Sequence, residues 1–190
     1  MTRLGWFLFT LACGLVLAGV VHIAAVLLTP AFAGDGPLAR MLNDAPLHQA
    51  TLLPAPTPAA PGLAFTDPAT AMSICPYDLD REPVRVRIAA GDELLTLSFH
   101  SPDGRVFYAL SDRAAQRGII DLVLFTLDQL GEALRAEDED DAPRDVRLLS
   151  PVRRGFVVAR VLALQPTDMP DARLLASGLT CEPDPNVLGK

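Results

Sequence analysis

The stretch Leu94-Leu-Thr-Leu-Ser-Phe-His-Ser-Pro-Asp-Gly-Arg-Val-Phe-Tyr-Ala-Leu110 decides how the chain folds. Its first half alternates, with Leu95, Leu97 and Phe99 on one face and Thr96, Ser98 and His100 on the other. Side chains along a strand change face at every residue, so this is the pattern of a half-buried β-strand. Pro102-Asp103-Gly104 then supplies a turn, the proline preset for the first bend and the glycine free to take positive φ. Arg105 to Leu110 reads as the returning strand of an antiparallel hairpin.

On either side the same grammar continues. Val84, Val86 and Ile88 alternate with Arg85 and Arg87, predicting another half-buried strand. Ile119 to Phe125 is a denser apolar run, expected as a buried central strand. Thr126-Leu-Asp-Gln129 fits a capping box and predicts a short helix to about Glu137. Asp145 to Leu149 and Gly155 to Leu164 predict a second hairpin around Ser150-Pro151. Asp168 to Ser177 predicts a last helix, with Gly178 at its C′ position. The expected fold is therefore mainly β, an antiparallel, sandwich-like sheet arrangement with two short helices. It occupies residues 63–182, enough for one hydrophobic core, and residues 183–190 read as a flexible tail.

Ahead of this domain the chain changes character twice. Residues 1–33 read as a transmembrane anchor: no acidic or basic residue falls between Arg3 and Asp35, and most of Leu4 to Leu28 is apolar. At ~1.5 Å per residue this run reaches roughly 37 Å, beyond the ~30 Å of a hydrocarbon core. Trp6 and Phe7 sit where interfacial anchors belong. The positive amino terminus and Arg3 place residue 1 in the cytoplasm, with the anchor in the inner (cytoplasmic) membrane and the following domain periplasmic. Ala31-Phe32-Ala33 offers the rival reading of a cleaved signal peptide. Signal h-regions run only ~7–15 residues, which favours the uncleaved anchor, and both readings export the same domain. His22 and Cys13, lone within the span, read as a neutral side chain reaching towards headgroups and a small packing residue. Residues 34–62 hold prolines 37, 46, 54, 56, 58 and 61 and read as an extended spacer, with His48 solvated in it.

Asp67-Pro-Ala-Thr70, Tyr77-Asp-Leu79, Pro83-Val-Arg-Val86 and Leu97 to Tyr108 follow one another in an order and spacing that resembles the bacterial envelope family "domain of unknown function 1254". The resemblance covers about Phe65 to Val161. It implies a β-sandwich-like sheet, and it brings no established catalytic residues. Members are often longer and join this domain to a companion β domain, so the resemblance implies a separate, membrane-anchored companion β-domain protein as partner here.

The candidate chemistry is sparse. Cys75 and Cys181 are the two cysteines of the exported domain, and an oxidising compartment favours their disulfide. No Cys-x-x-Cys spacing offers a zinc site, and the acidic run Glu137-Asp-Glu-Asp-Asp141 lacks the ligand order of a calcium loop. His100, the domain's single histidine, has acid–base partners in reach at Asp103 or Tyr108 across the hairpin. The blander expectation is a histidine on the solvent face of its strand. The loop Ser111 to Gly118 is rich in donors, and Arg113 and Arg117 suit a carboxylate or phosphate. Arg153 and Arg154 open a strand and suit lipid headgroups. A net charge of −7 with no basic stripe argues against nucleic acid.

No catalytic residue, metal or cofactor is indicated. The leading expectation is a single-pass envelope protein with a non-catalytic binding or assembly domain, whose candidate binding residues are Arg113, Arg117, His100 and Tyr108. Two alternatives stay open: a subunit of an envelope enzyme whose site a companion completes, and a cleaved periplasmic binding protein.

Overall fold

The computed structural model describes residues 2–32, 45–57, 66–136 and 146–188. It divides into two units, Met1–Gly36 and Pro37–Lys190. The first is one helix, α1 (Arg3–Phe32), whose Arg3–Thr29 portion has the length and apolarity to cross a membrane, with a mean hydropathy of 2.6. Its Trp6, Phe7, Leu15 and Leu27 side chains are exposed, an arrangement suited to lipid and costly in water. Thr10 and Thr29 return their hydroxyl protons to the carbonyls of Trp6 and Ala25, at 2.9 and 2.7 Å. That hides their polarity within the helix. Ala33 of the A-x-A site, most of the spacer and the acidic run 137–141 lie outside the described residues.

The second unit is a sandwich of two sheets. Its strands are β1 (Thr51–Leu52), β2 (Thr70–Asp78), β3 (Val84–Ala89), β4 (Leu94–His100), β5 (Val106–Ser111), β6 (Ile119–Phe125), β7 (Val146–Leu149), β8 (Arg154–Leu162) and β9 (Thr180–Pro183). Helices α2 (Leu127–Ala136) and α3 (Met169–Ser177) complete it. One sheet runs β1-β2-β8-β4-β5 and the other β7-β6-β3-β9. Leu95, Leu97 and Phe99 of the deciding hairpin enter the core with Val157, Ala159 and Val161 of β8 and with Val84, Val86, Ile88, Leu122 and Leu124 of the other sheet. The mainly β architecture expected from alternation is the one that forms.

The capping box is present as expected. Thr126 N donates to Gln129 Oε1 at 2.9 Å, and Gln129 N to Thr126 Oγ1 at 3.3 Å. The Gln129 amide also donates to the Leu79 carbonyl, tying the start of α2 to the end of β2. Gly178 follows α3 with φ −76°, so it ends the helix without the left-handed conformation expected at C′.

The second expected hairpin does not form. β7 pairs parallel to β6, Leu122 opposite Val146 and Phe125 opposite Leu149, while β8 lies in the other sheet between β2 and β4. The reason is burial: Phe156, Val157, Val158 and Ala159 are all buried, and a strand apolar on both faces belongs in the interior of a sheet covered on both faces, here by the main core on one and by Leu53 and Met72 on the other. β7, with Val146 and Leu149 exposed, suits an edge.

Two segments read as outlying are built into the domain. Thr51 and Leu52, from the proline-rich stretch, pair with Ile74 and Ser73 of β2. His48, expected to be solvated, is half-buried at φ 59°, and its N–H donates to the Pro76 carbonyl. Burial lowers its pKa, against the pull of Asp78 and Glu82. At the other end Leu188 is buried against Val123, Phe125 and Ala133, so the described part of the expected tail packs on α2 and β6.

Candidate binding cleft at the open side of the sandwich

The two sides of the sandwich differ. On one, the disulfide between Cys75 of β2 and Cys181 of β9 joins the two sheets, with Cα atoms 6.6 Å apart, and both cysteines are buried. On the other, β5 and β7 are the last strands of their sheets among the described residues. Between them a cleft of about 760 Å³ opens, lined by Tyr108 and Leu110 of β5, Ile120 and Leu122 of β6, Val146 of β7, and Arg117.

Local chemistry builds its rim. Ser111 ends β5 and accepts the Arg113 N–H at 3.4 Å, starting a 3-10 turn over Asp112–Ala114. Gln116 and Ile119 then exchange backbone hydrogen bonds of 2.9 and 3.1 Å around Arg117 (φ 55°) and Gly118 (φ 79°). Positive φ at both central residues is the type I′ turn, whose twist matches the strands it joins. Glycine adopts it without penalty, but arginine pays roughly 1–2 kcal/mol for the left-handed conformation. The Gly118 carbonyl accepts from Ala90 N, docking the turn beside the end of β3. A costly conformation held in this way is common at binding sites.

The cleft's carboxylate is already committed. Burial alone would raise the pKa of Asp121, but hydrogen bonds and charge from Arg87 and Arg85 outweigh it and hold the group below the usual range. The contacts measure 2.8 Å to Arg87 and 3.0 Å to Arg85. Arg117, exposed and without such a partner among the described residues, is the cation left to meet a ligand.

The four residues singled out in the sequence are thus separated. Tyr108 and Arg117 line one cleft, and Arg113 is exposed on the adjoining turn without lining it. His100 lies on the other face of its sheet and, against expectation, is only 6% exposed. Its ring stacks on Phe156, the residue opposite it on β8, with centroids 4.7 Å apart. The Gly104 carbonyl, 3.1 Å from Nδ1, can only accept, so Nδ1 carries the proton. Nε2 then accepts the Ser98 hydroxyl at 2.9 Å, and Ser98 Oγ accepts from Arg160 Nη1 at 3.0 Å. Desolvation lowers the pKa of His100, assisted by Arg160 and opposed by the Gly104 hydrogen bond. Ser98 and Arg160 were missed as its partners; the alternation placed Ser98 beside His100, but nothing local announced Arg160. Arg153 and Arg154, read as candidates for lipid headgroups, are engaged within the domain: Arg154 with Asp78 and Asp80, Arg153 with Asp80 and Asp128.

The profile of the family described as "Protein of unknown function (DUF1254)" matches residues 48–183, and the chain belongs to that family. Its fold is similar to that of the VPA0106 protein from Vibrio parahaemolyticus, with a TM-score of 0.54 at 16% identity over 78% of this chain and 33% of that one. An uncharacterized protein from Burkholderia cenocepacia aligns with a TM-score of 0.44 at 15% identity, over 80% of this chain and 43% of that one. The chain therefore spans about a third of the Vibrio protein's length and under half of the other's. No curated protein matches it.

Proposed function

We propose that the chain is a single-pass protein of the inner membrane, its amino terminus cytoplasmic, whose periplasmic β domain is a non-catalytic assembly module. The observation that carries this reading is the open side of the sandwich. Among the described residues β5 and β7 end their sheets there, and Tyr108, Ile119 and Val146, which line the cleft, are each 40% or more exposed. An unpaired strand edge is a template for another strand, and a contiguous apolar surface beside it favours protein contact. The partner that fits is a second membrane-anchored β domain, adding a strand to β5 and an apolar side chain to the cleft. Tethering both to one surface raises their effective concentration, so a weak interface suffices. The Vibrio protein, which carries two thirds of its length outside the shared fold, is consistent with a module that works beside other structure.

A photocrosslinker at Tyr108 or Val146, which line the cleft from β5 and β7, tests this in membranes. One abundant, membrane-anchored β-rich protein should be captured from both positions and not from Leu174, an exposed residue of α3. Self-crosslinks alone or none, together with turnover of a substrate by the purified chain, would replace assembly by the enzyme reading.

A further inference from the structure

The outer face of the five-stranded sheet carries a row of donors that the cleft does not use. Arg160 of β8 lies directly opposite Thr96 of β4, and Thr96 directly opposite Ser111 of β5. Such pairs share a face, with Cβ atoms about 4.5–5.5 Å apart. Met72 of β2 flanks Arg160 on the other side with an apolar chain.

Arg160 is unlike the arginines paired within the sheets. Arg85, Arg87 and Arg154 each contact a carboxylate within 3.0 Å. Arg160 is half-buried, its charge is disfavoured by desolvation, and no acidic group among the described residues acts on it. Its single protein partner among the described residues is Ser98 Oγ. Its other N–H groups are open to solvent, as is the Thr96 hydroxyl, which has no protein partner there either. Partial burial of an uncompensated cation is costly, and an arriving anion recovers that cost. The guanidinium is also held in place. The Gly104 carbonyl orients His100, His100 fixes the Ser98 hydroxyl, and Ser98 Oγ takes one N–H of Arg160. That leaves the rest of the planar fork without a protein partner among the described residues, on the sheet face whose register also carries Thr96 and Ser111.

We propose that Arg160, Thr96 and Ser111 form a binding site for a phosphate-class oxyanion. The guanidinium takes two oxygens, and the hydroxyls donate to the others. The chemistry is shared by free phosphate and by an anionic lipid headgroup, and the test separates them.

The full chain in detergent, with inorganic phosphate titrated at constant ionic strength, is followed by the Arg160 Nε resonance. A saturable shift with Kd on the order of millimolar is expected. Arg160→Gln should abolish saturable binding, read by calorimetry, and Thr96→Val should weaken it about tenfold. If Arg160→Gln fails to fold, Arg160→Lys keeps the charge without the fork and should weaken binding by a similar factor. In nanodiscs, a shift with phosphatidylglycerol but not phosphatidylcholine, and none with free phosphate, assigns the site to headgroups. An unsaturable response to phosphate together with no lipid effect overturns the proposal, as does equal binding by the wild type and the Arg160 and Thr96 variants.

Discussion

Tyr77 and Gly155 face each other in the β2–β8 ladder, and the tyrosine ring fills the space that a side chain on residue 155 would take. A methyl group there would meet the Tyr77 hydroxyl and ring and the backbone carbonyl of His100. Tyr77 is 1% exposed, its hydroxyl lies 3.2 Å from Ser150 Oγ, and burial raises its pKa. Glycine is therefore required by close approach rather than by φ. Gly155→Ala should destabilise the domain by about 1–3 kcal/mol, because the carbonyl on one side cannot move aside as a flexible side chain would. Urea unfolding followed by the fluorescence of Tyr77 and Tyr108 measures it. An unchanged midpoint would show that the ladder relaxes freely at this point.

The Cys75–Cys181 bond closes 106 residues of sequence and joins the sheets at the side opposite the cleft. Chain entropy assigns a loop of that length about 4–5 kcal/mol, and removal of native bridges in small exported domains costs about 2–5 kcal/mol. Cys75→Ala should fall in that range. Non-reducing peptide mapping of membrane-extracted protein should recover the two cysteine peptides linked, with Cys13 alone free to alkylate.

Acid should weaken the domain through His100. Its folded-state pKa is depressed, so the unfolded chain takes up the proton first as pH falls below about 6.5. Stability is then complete above that value and declines between it and the lower folded-state pKa, by up to about 1.4 kcal/mol per pH unit. His48, also depressed by burial, adds a slope of the same sign. Unfolding midpoints at pH 7.5 and 5.5 should therefore differ more in the wild type than in His100→Gln, and least in the double variant with His48→Gln. Equal slopes in all three would mean that neither imidazole is buried neutral.

Orientation is tested independently of stability. With Arg3 as the one cationic side chain ahead of the apolar run, a reporter fused after Lys190 should be active only if it matures outside the cytoplasm. Activity of a cytoplasm-dependent reporter would reverse the assignment. A soluble product beginning at Gly34 would turn the anchor into a signal peptide.

Alternation and capping made much of the fold readable, because both are local. Val84, Val86 and Ile88 go inward and Arg85 outward, as a period of two demands, and Thr126 and Gln129 cap α2 as their spacing demands. What the chain did not announce is which sheet a strand joins. Leu148 of β7 and Val157 of β8 are close in sequence and lie in different sheets, a choice made by how many faces each strand must bury. His100 shows the same limit at the level of a site. Its place opposite the core-facing residues was readable, but its burial depends on Phe156 and Arg160, some sixty residues away on the neighbouring strand. Arg117 was identified by charge, whereas its left-handed turn, which sets it at the cleft, has no Asn-Gly or Asp-Gly signature.

The edge itself can be tested by charge. Natural sheets protect open edges with lysine, since a desolvated ammonium opposite an incoming strand is costly. Val106 and Tyr108 of β5 are 54% and 40% exposed and make no ion pair that a lysine would disturb. Val106→Lys should therefore leave the domain's own stability within about 0.5 kcal/mol, whereas Tyr108→Lys also loses the ring contact with Phe99, centroids 6.1 Å apart, and should cost about 0.5–1.5 kcal/mol. They should also lower co-purification of a crosslinked partner at least tenfold, about 1.4 kcal/mol of binding. Leu174→Lys, on α3 and 73% exposed, should do neither. If all three variants retain the partner equally, β5 is not the docking edge. If Val146→Lys alone removes it, the contact runs along β7, and the cleft is approached from the other sheet.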